Sequence, residues 1–92
     1  MIVSFRSKSL RRFYEDDDHG GLRRDVAQRV GELLALLDAA TTIEGMSAVT
    51  CRLRPLKDEH KGFWAVSVRG DWWMIFHFED GKASDVDEIG RY

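Results

Sequence analysis

The sequence predicts an α+β domain in which two N-terminal helices pack on a small, mainly antiparallel sheet. Two observations predict it. Apolar residues recur at helical spacing in the first forty residues, and they alternate with polar residues from residue 52 onward. The 92 residues include one proline and eight glycines, and 43% of them are hydrophobic, which is typical of a folded protein. We therefore predict that residues 1–92 form a single domain with one core.

A short strand and a capped helix are predicted at the N-terminus. Residues 2–5 are rich in β-branched and aromatic side chains, which favour a strand that joins the sheet. Ser7 belongs to the residue types preferred at a helix N-cap, and the apolar residues behind it have i, i+3, i+4 spacing. They are Leu10, Phe13 and Tyr14. The aspartates and glycines within residues 16–21 end this helix in a loop.

The second helix is predicted from residue 22 to about residue 40. Apolar residues at positions i, i+4, i+7, i+8 and i+11 form one face of it, and most of its charged residues lie elsewhere. The apolar residues are Val26, Val30, Leu33, Leu34 and Leu37. This face is expected to pack on the sheet.

Beyond residue 51 the apolar spacing changes to period two, which predicts strands. The predicted strands are residues 52–54, which end at Pro55, and residues 63–69, 72–78 and 83–89. Gly70 and Asp71 predict a tight turn, and the Asp80-Gly81 pair predicts a hairpin. In the third of these strands Trp73 and His77 are four residues apart, so both side chains leave the same face.

Composition and charge exclude several classes of protein. The chain has 14 basic and 16 acidic residues and a formal net charge of −2, which gives no support to a general nucleic-acid binder. The single cysteine, Cys51, cannot form an internal disulfide, which indicates a reducing compartment. No apolar run approaches the roughly 18 residues that cross a membrane, and residues 1–6 lack the apolar stretch of a signal peptide. We expect a cytoplasmic protein.

Charge is unevenly distributed along the predicted sheet. Residues 52–69 hold five basic and two acidic residues, whereas residues 79–88 hold five acidic residues and one lysine. A cationic patch beside aromatic side chains is suited to hold phosphates and to stack bases. The alternative, from composition alone, is that these charges are solvated edges and loops. The spacing of the three histidines indicates no metal site, and no glycine-rich phosphate-binding loop is present.

Several segments of the chain carry a resemblance to a known family. They are residues 1–5, 36–41, 52–57, 62–66, 70–72 and 80–86. In this order and spacing they resemble the HigB-type toxins of bacterial toxin–antitoxin modules, within the RelE-like superfamily. The resemblance covers nearly the whole chain and implies a RelE-like fold.

The resemblance implies a toxin that binds the ribosome and cleaves messenger RNA there, without a metal or another cofactor. In such proteins the 2′-OH of the RNA attacks the adjacent phosphate. This step requires a base, an acid and cations that stabilise the charge growing on the phosphate. The implied partners are the ribosome with its messenger RNA and a cognate helix-turn-helix antitoxin; no membrane and no small-molecule ligand is implied.

Five residues are the predicted catalytic set. Lys57 matches a lysine of the family motif and is expected to contact phosphate. Arg54 stands where many relatives have a histidine; because arginine cannot act as a base, we expect it to clamp a phosphate. We expect His77 to act as base or acid, within reach of Arg91 and Tyr92, where relatives end in Asp-Tyr-His. Tyr92 replaces either the tyrosine or the histidine of that ending. The alternatives for Lys57 and His77 are a solvated turn lysine and an exposed strand histidine.

Four further residues are predicted to contact RNA, namely Arg52, Lys61, Arg69 and Trp73. Trp73 stands where relatives have an arginine; it can stack on a base but cannot neutralise an oxyanion. For Lys61 and Arg69 the alternative is plain surface charge. Two functions therefore stay open: a ribosome-dependent mRNA endonuclease, and a catalytically degenerate RelE-like module that binds an antitoxin without cleaving RNA.

Overall fold

The computed structural model describes residues 1–18, 20 and 22–90. Within these residues the chain forms two α-helices followed by a four-stranded sheet, which confirms the predicted α+β class. The elements are α1 (Lys8–Asp16), α2 (Arg24–Ala39), β1 (Arg54–Pro55), β2 (Trp64–Arg69), β3 (Trp72–Glu79) and β4 (Lys82–Ile89). Short 3₁₀ turns at Ile43–Met46, Val49–Cys51 and Asp58–His60, which the apolar spacing does not predict, lie in the connections on either side of β1.

Helix α1 begins and ends as the sequence predicts. The Ser7 hydroxyl accepts a hydrogen bond of 3.2 Å from the backbone N–H of Leu10, and so satisfies one of the donors that a first helical turn leaves free. The helix ends at Asp16, and Asp17 adopts a left-handed conformation with φ 54°, which aspartate tolerates better than most residues. Leu10 is buried and attaches this helix to the core.

Helix α2 is shorter at both ends than the predicted residues 22–40. Arg23 and Ala40 have extended backbones, with ψ of 152° and 129°, so the helix spans Arg24–Ala39. Its buried side contains every residue of the predicted face, namely Val26, Val30, Leu33, Leu34 and Leu37, and in addition Ala27. Burial of each larger side chain contributes about 1.5–3 kcal/mol, so packing on the sheet is the main source of stability for this helix.

The strands form an antiparallel meander in the order β1-β2-β3-β4. Asp80 and Gly81 connect β3 to β4 with φ of 52° and 77°, as a two-residue hairpin of the predicted Asp-Gly type requires. The prediction of a strand over residues 52–54 is wrong in its bounds, because Arg52 has a φ of 51°, outside the extended region. Pro55 lies in the edge strand, where its missing N–H interrupts no inner ladder.

The N-terminal segment joins the sheet beside β4, as predicted, but it is not a regular strand. Two isolated parallel bridges attach it, Ile2 to Ala83 and Phe5 to Val86. Between the bridges, the backbone N–H of Asp85 donates to the Ser4 hydroxyl at 2.9 Å. A side chain therefore takes the place of a main-chain acceptor, and the ladder is interrupted there.

A β-bulge in β4 keeps its apolar residues on the core side. The pairing of β3 with β4 shifts by one residue between Ile75 and His77, and Asp85 has a left-handed φ of 52°. The extra residue lets Ala83 and Val86 both face the core, although they are three positions apart. Simple alternation along this strand therefore assigns one of them to the wrong face.

The sheet has two apolar faces of different size. The face against α2 belongs to the main core, to which the strands contribute Val66, Val68, Met74, Phe76, Ala83 and Val86. The opposite face carries a smaller cluster that includes no residue of α1 or α2: Leu56, Phe63, Ala65, Trp73 and Ile75, with Ile89 packed against it. We call this side of the sheet the outer face. It also carries His77, whose ring contacts that of Phe63.

Candidate functional site

Two arginines lie over the ring of Trp73 on the outer face. The guanidinium carbons Cζ of Arg54 and Arg52 are 4.7 Å and 5.7 Å from the ring centroid. The strand register explains the closer contact: Arg54 pairs with Ala65, and Trp73 pairs with Ser67 two residues further along β2. Cation–π contacts of this kind contribute about 0.5–1 kcal/mol at exposed sites. The sheet thus concentrates two cations at this end, which we call the tryptophan end.

The burial of Trp73 changes the role expected for it. Its side chain is 5% exposed, because it packs in the outer-face cluster and lies beneath Arg52 and Arg54. A base could stack on this ring only after the guanidiniums had moved aside. The structure therefore presents Trp73 as the support of two cations, and its stacking with RNA stays a prediction.

The second aromatic ring of the outer face, that of Phe63, has three nitrogen-bearing neighbours. The His77 ring lies 3.9 Å from it, centroid to centroid, and the His60 ring lies 6.2 Å away edge-on. The Cζ atom of Arg6 is 5.7 Å from the same centroid. We call this group the phenylalanine end. Together the two ends form a strip of cations and imidazoles over a buried aromatic floor.

His77 has two ring nitrogens in different surroundings. Its Nδ1 lies 3.8 Å from the Oδ2 atom of Asp85, the residue that the bulge in β4 places beside it. Its Nε2 is buried and, within the described residues, has no hydrogen-bond partner. Proton exchange with a ligand on the outer face is therefore open to Nδ1 rather than Nε2.

Lys57 lies at the edge of the outer face, next to the phenylalanine end. It directly follows Leu56, whose side chain belongs to the outer-face cluster and whose N–H donates to the carbonyl of Phe63 at 2.9 Å. The carbonyl of Lys57 accepts a hydrogen bond of 3.2 Å from the N–H of His60. The structure thus brings Arg54 and His77 to the outer face and the backbone of Lys57 to its edge, and the cooperation of the three side chains stays a prediction.

Other predicted site residues lie elsewhere. A guanidinium nitrogen of Arg69 contacts the carboxylate of Asp25, at the start of α2, so this arginine is engaged away from the outer face. Lys61 is exposed after the turn that carries His60. The roles of Arg69 and Lys61 in RNA binding stay predictions.

The last two residues of the predicted catalytic set, Arg91 and Tyr92, lie outside the described residues. His77 lies near the hairpin, as predicted, whereas its predicted reach to Arg91 and Tyr92 concerns residues outside the described part. His77 pairs with Ser84 close to the hairpin turn, whereas Ile89 pairs with Trp73. Strand β4 therefore ends at the tryptophan end of the outer face.

Sequence reasoning missed three residues that the structure places beside the predicted ones: Arg6, His60 and Asp85. Arg6 reaches Phe63 because the N-terminal segment runs parallel to β4. Asp85 reaches His77 because of the bulge. Only His60 could have been suspected from the sequence, because it lies three residues before the strand predicted to begin at Phe63. In the structure its imidazole lies near the ring of Phe63.

The part of the chain that the structure describes contains neither a membrane-spanning helix nor a cluster of metal ligands. No helix there is long and apolar enough to cross a membrane. No group of three or more His, Cys, Asp or Glu side chains in that part is arranged to hold a metal ion. The thiol of Cys51 is fully buried among core residues.

Glu88, in β4, gives a prediction of pH-dependent stability. Burial, and then the neighbouring carboxylate of Asp87, raise the pKa of Glu88. A raised pKa means that the folded state loses stability as the pH rises through it. We expect Glu88→Gln to stabilise the fold at pH 7 by a few tenths to about 1 kcal/mol, and not below about pH 4. Urea unfolding of the wild type and the variant at pH 7 and at about pH 4 measures the change in stability. An equal change at the two pH values would contradict the prediction.

Comparison with known proteins gives consistent matches. The model of a family described as RelE-like toxin of type II toxin–antitoxin system HigB matches residues 3–88. Endoribonuclease HigB of Proteus vulgaris is 32% identical over 83 residues, which cover 90% of each chain. Among solved structures, the YoeB–YefM complex from Staphylococcus aureus contains a chain with a TM-score of 0.59 at 16% identity, over 94% of this chain and 92% of that one. The YoeB dimer from the same organism gives a TM-score of 0.55 at 15% identity, over 92% and 91%.

Proposed function

Because the chain belongs to the HigB-like family of RelE-like toxins from type II toxin–antitoxin systems, we propose that it is an endoribonuclease that cleaves messenger RNA on the ribosome and so inhibits translation. Its relative from Proteus vulgaris is named an endoribonuclease. The proposed action places the protein in the cytoplasm, where translating ribosomes are found.

The observation that carries this proposal is the pair of arginines held over Trp73 on the same sheet face as His77. Many relatives have an arginine at the position of Trp73, and the loss of that cation is the main argument against activity. Here Arg54 and Arg52 lie 4.7 Å and 5.7 Å from the indole. Positive charge is therefore kept at this point of the face, supplied by neighbouring residues.

The proposed reaction uses the 2′-OH of the RNA as its nucleophile, so it needs no metal to activate water. Lys57 binds the scissile phosphate and stabilises the negative charge that grows on its oxygens, and Arg54 clamps a neighbouring phosphate of the same RNA strand. His77 exchanges a proton with the reacting groups through Nδ1, which lies 3.8 Å from the Asp85 carboxylate and makes no hydrogen bond with it at that distance. The ribosome holds the messenger RNA in an extended conformation, which reduces the entropy cost of alignment.

The proposed partner is a small antitoxin of the helix-turn-helix class, which binds the toxin and prevents cleavage. The family is defined by membership of type II toxin–antitoxin systems. A protein of similar fold has been solved as the YoeB–YefM complex. Co-expression with the product of a neighbouring antitoxin gene is then expected to restore growth.

A second candidate is a catalytically degenerate module that binds an antitoxin and does not cleave RNA. The observation that favours it is Trp73 itself, which is buried and cannot approach a phosphate. This candidate predicts a tight complex with the antitoxin and no effect on translation. The Trp73→Arg variant, discussed below, distinguishes it from the enzyme.

Replacing Lys57 by alanine is expected to weaken toxicity and RNA cleavage by about 10–100-fold, because a charge-assisted hydrogen bond to phosphate contributes about 1.5–3 kcal/mol. Growth after induction measures toxicity, and primer extension on messenger RNA from the same cells maps the cuts. Wild-type protein should arrest growth and produce new 5′ ends within coding regions.

Lys8→Ala is the matched control for that variant, since Lys8 is an exposed lysine at the start of α1, outside the outer face. It should be as toxic as the wild type. If the double variant Lys57→Ala, His77→Ala stayed fully toxic, the assignment of the active site to this face would be wrong. If the wild type produced no new 5′ ends, the degenerate module would be supported instead.

A further inference from the structure

The ring of Phe63 has two histidine neighbours, His60 and His77. The centroids of His77 and His60 lie 3.9 Å and 6.2 Å from that of Phe63, so the two imidazoles are at most about 10 Å apart. His60 comes from the turn between β1 and β2, and His77 comes from β3. No sequence pattern connects them, because they are 17 positions apart and lie in different elements.

We propose that His60 and His77 are the proton-transfer pair of the cleavage reaction, and that the phosphate reacts at the phenylalanine end. This inference rests on the proposed function and adds His60 to it as a catalytic residue. Cleavage by the 2′-OH needs a base on one side of the phosphorus and an acid on the other. One imidazole does not reach both sides at once, so His77 alone leaves one of the two transfers without a group.

The other side chains near His77 are less suited to be the second proton-transfer group. Arginine cannot act as a base, so the proposal uses Arg54 as a cation, and it uses Lys57 in the same way. Asp85 lies against Nδ1 of His77. Imidazole is the side chain whose ordinary pKa of about 6.5 suits transfer in both directions. His60 supplies a second one at most about 10 Å from the first, and this range includes the separation that a phosphate hydrogen-bonded to both imidazoles requires.

The backbone holds His60 in a defined place relative to Phe63. The carbonyl of His60 accepts a hydrogen bond of 3.0 Å from the N–H of Phe63. The N–H of His60 donates to the carbonyl of Lys57. Gly62 has a φ of 96°, which a side chain would strain, and this lets the chain turn back tightly. Arg6, over the same ring, adds a cation where the phosphate would lie.

The step is balanced as a transesterification. The 2′ oxygen forms a bond to phosphorus, and the bond from phosphorus to the 5′ oxygen breaks. The proton of the 2′-OH passes to one imidazole, while the other, protonated imidazole gives its proton to the departing 5′ oxygen. The products are a 2′,3′-cyclic phosphate and a 5′-hydroxyl end, and no oxidant, reductant or water is consumed.

The test measures single-turnover cleavage of messenger RNA on purified ribosomes as a function of pH. The wild type is expected to give a bell-shaped profile. His60→Asn and His77→Asn should each lower the rate by about 10²-fold or more and should each remove a different limb of the bell. Glu59→Gln, an exposed neighbour on the same turn, is the control and should keep both limbs and a rate within about twofold of the wild type. Thermal unfolding checks that every variant folds.

A second measurement separates the acid from the base. A substrate with sulfur in place of the bridging 5′ oxygen has a leaving group that needs no protonation. One of the two histidine variants, and not both, should therefore recover its rate on that substrate. If His60→Asn cleaves as fast as the wild type, or if neither variant recovers, the pairing of the two histidines is overturned while the proposed function stands. If the wild type itself does not cleave, the proposed function is what fails.

Discussion

Replacing Trp73 by arginine, the residue that relatives carry there, is expected to destabilise the fold by about 3–5 kcal/mol and to give no gain in RNA cleavage. The indole is 5% exposed and packs in the outer-face cluster. An arginine at this position would lose that packing and would place a third guanidinium beside those of Arg52 and Arg54. Loss of the aromatic floor would also release the two cations. Urea unfolding and cleavage of messenger RNA on ribosomes measure the two effects.

The matched variant is Trp73→Phe, which keeps an aromatic ring under the arginines. It should fold and should retain at least half of the cleavage activity. The opposite outcome has a clear meaning: a Trp73→Arg protein as stable as the wild type, with faster cleavage, would show that the tryptophan silences the site. The chain would then be the degenerate module.

Replacing Arg54 by alanine is expected to lower the rate of RNA cleavage by about 10–100-fold, because it removes a charge-assisted hydrogen bond to a phosphate of the bound RNA, which contributes about 1.5–3 kcal/mol. Arg54 lies closer to the Trp73 ring than Arg52 does, and it is fixed by the pairing of β1 with β2. Stability should change little, since a cation–π contact contributes only about 0.5–1 kcal/mol. Single-turnover cleavage on ribosomes, with urea unfolding of the same preparations, measures both quantities.

Two further variants make this result specific. Arg54→Lys keeps the charge but not the two-pronged donor geometry, so it should fall between the wild type and Arg54→Ala. Arg24→Ala, at the exposed start of α2, removes an arginine from the opposite layer and should cleave normally. A wild-type rate for Arg54→Ala would exclude this arginine from the phosphate site.

The parts of the fold that depend on local chemistry were predictable. The buried side of α2 contains every predicted residue, because helical spacing of apolar residues reports directly which side faces a core. The hairpin at Asp80 and Gly81 follows from the backbone angles that these residue types accept. Ser7 caps α1 for the same local reason.

The parts that depend on distant contacts were not predictable from one sequence. Arg52 has a left-handed φ, although the sequence around it predicts an extended strand. The bulge at Asp85 lies inside a segment for which the sequence predicts a regular strand, with side chains alternating between the two faces. In both cases packing against other elements overrides the local preference.

The candidate site also has features that the sequence predicts and features that depend on distant contacts. Period-two spacing places Trp73 and His77 on one face, and the contact of His77 with Phe63 agrees with it. The position of Arg54 over Trp73 follows from the β1–β2 register, which sequence alone does not fix. Arg6 joins the phenylalanine end only because the first residues pair with the last strand.

The pairing of the first residues with β4 affects when the fold can form during synthesis. The amino group of Met1 donates to the carbonyl of Gly81, and the carbonyl of Met1 accepts from Ala83. Contacts between such distant positions are slow to form. While the chain is being synthesised, its first residues therefore lack the partners that emerge about eighty positions later.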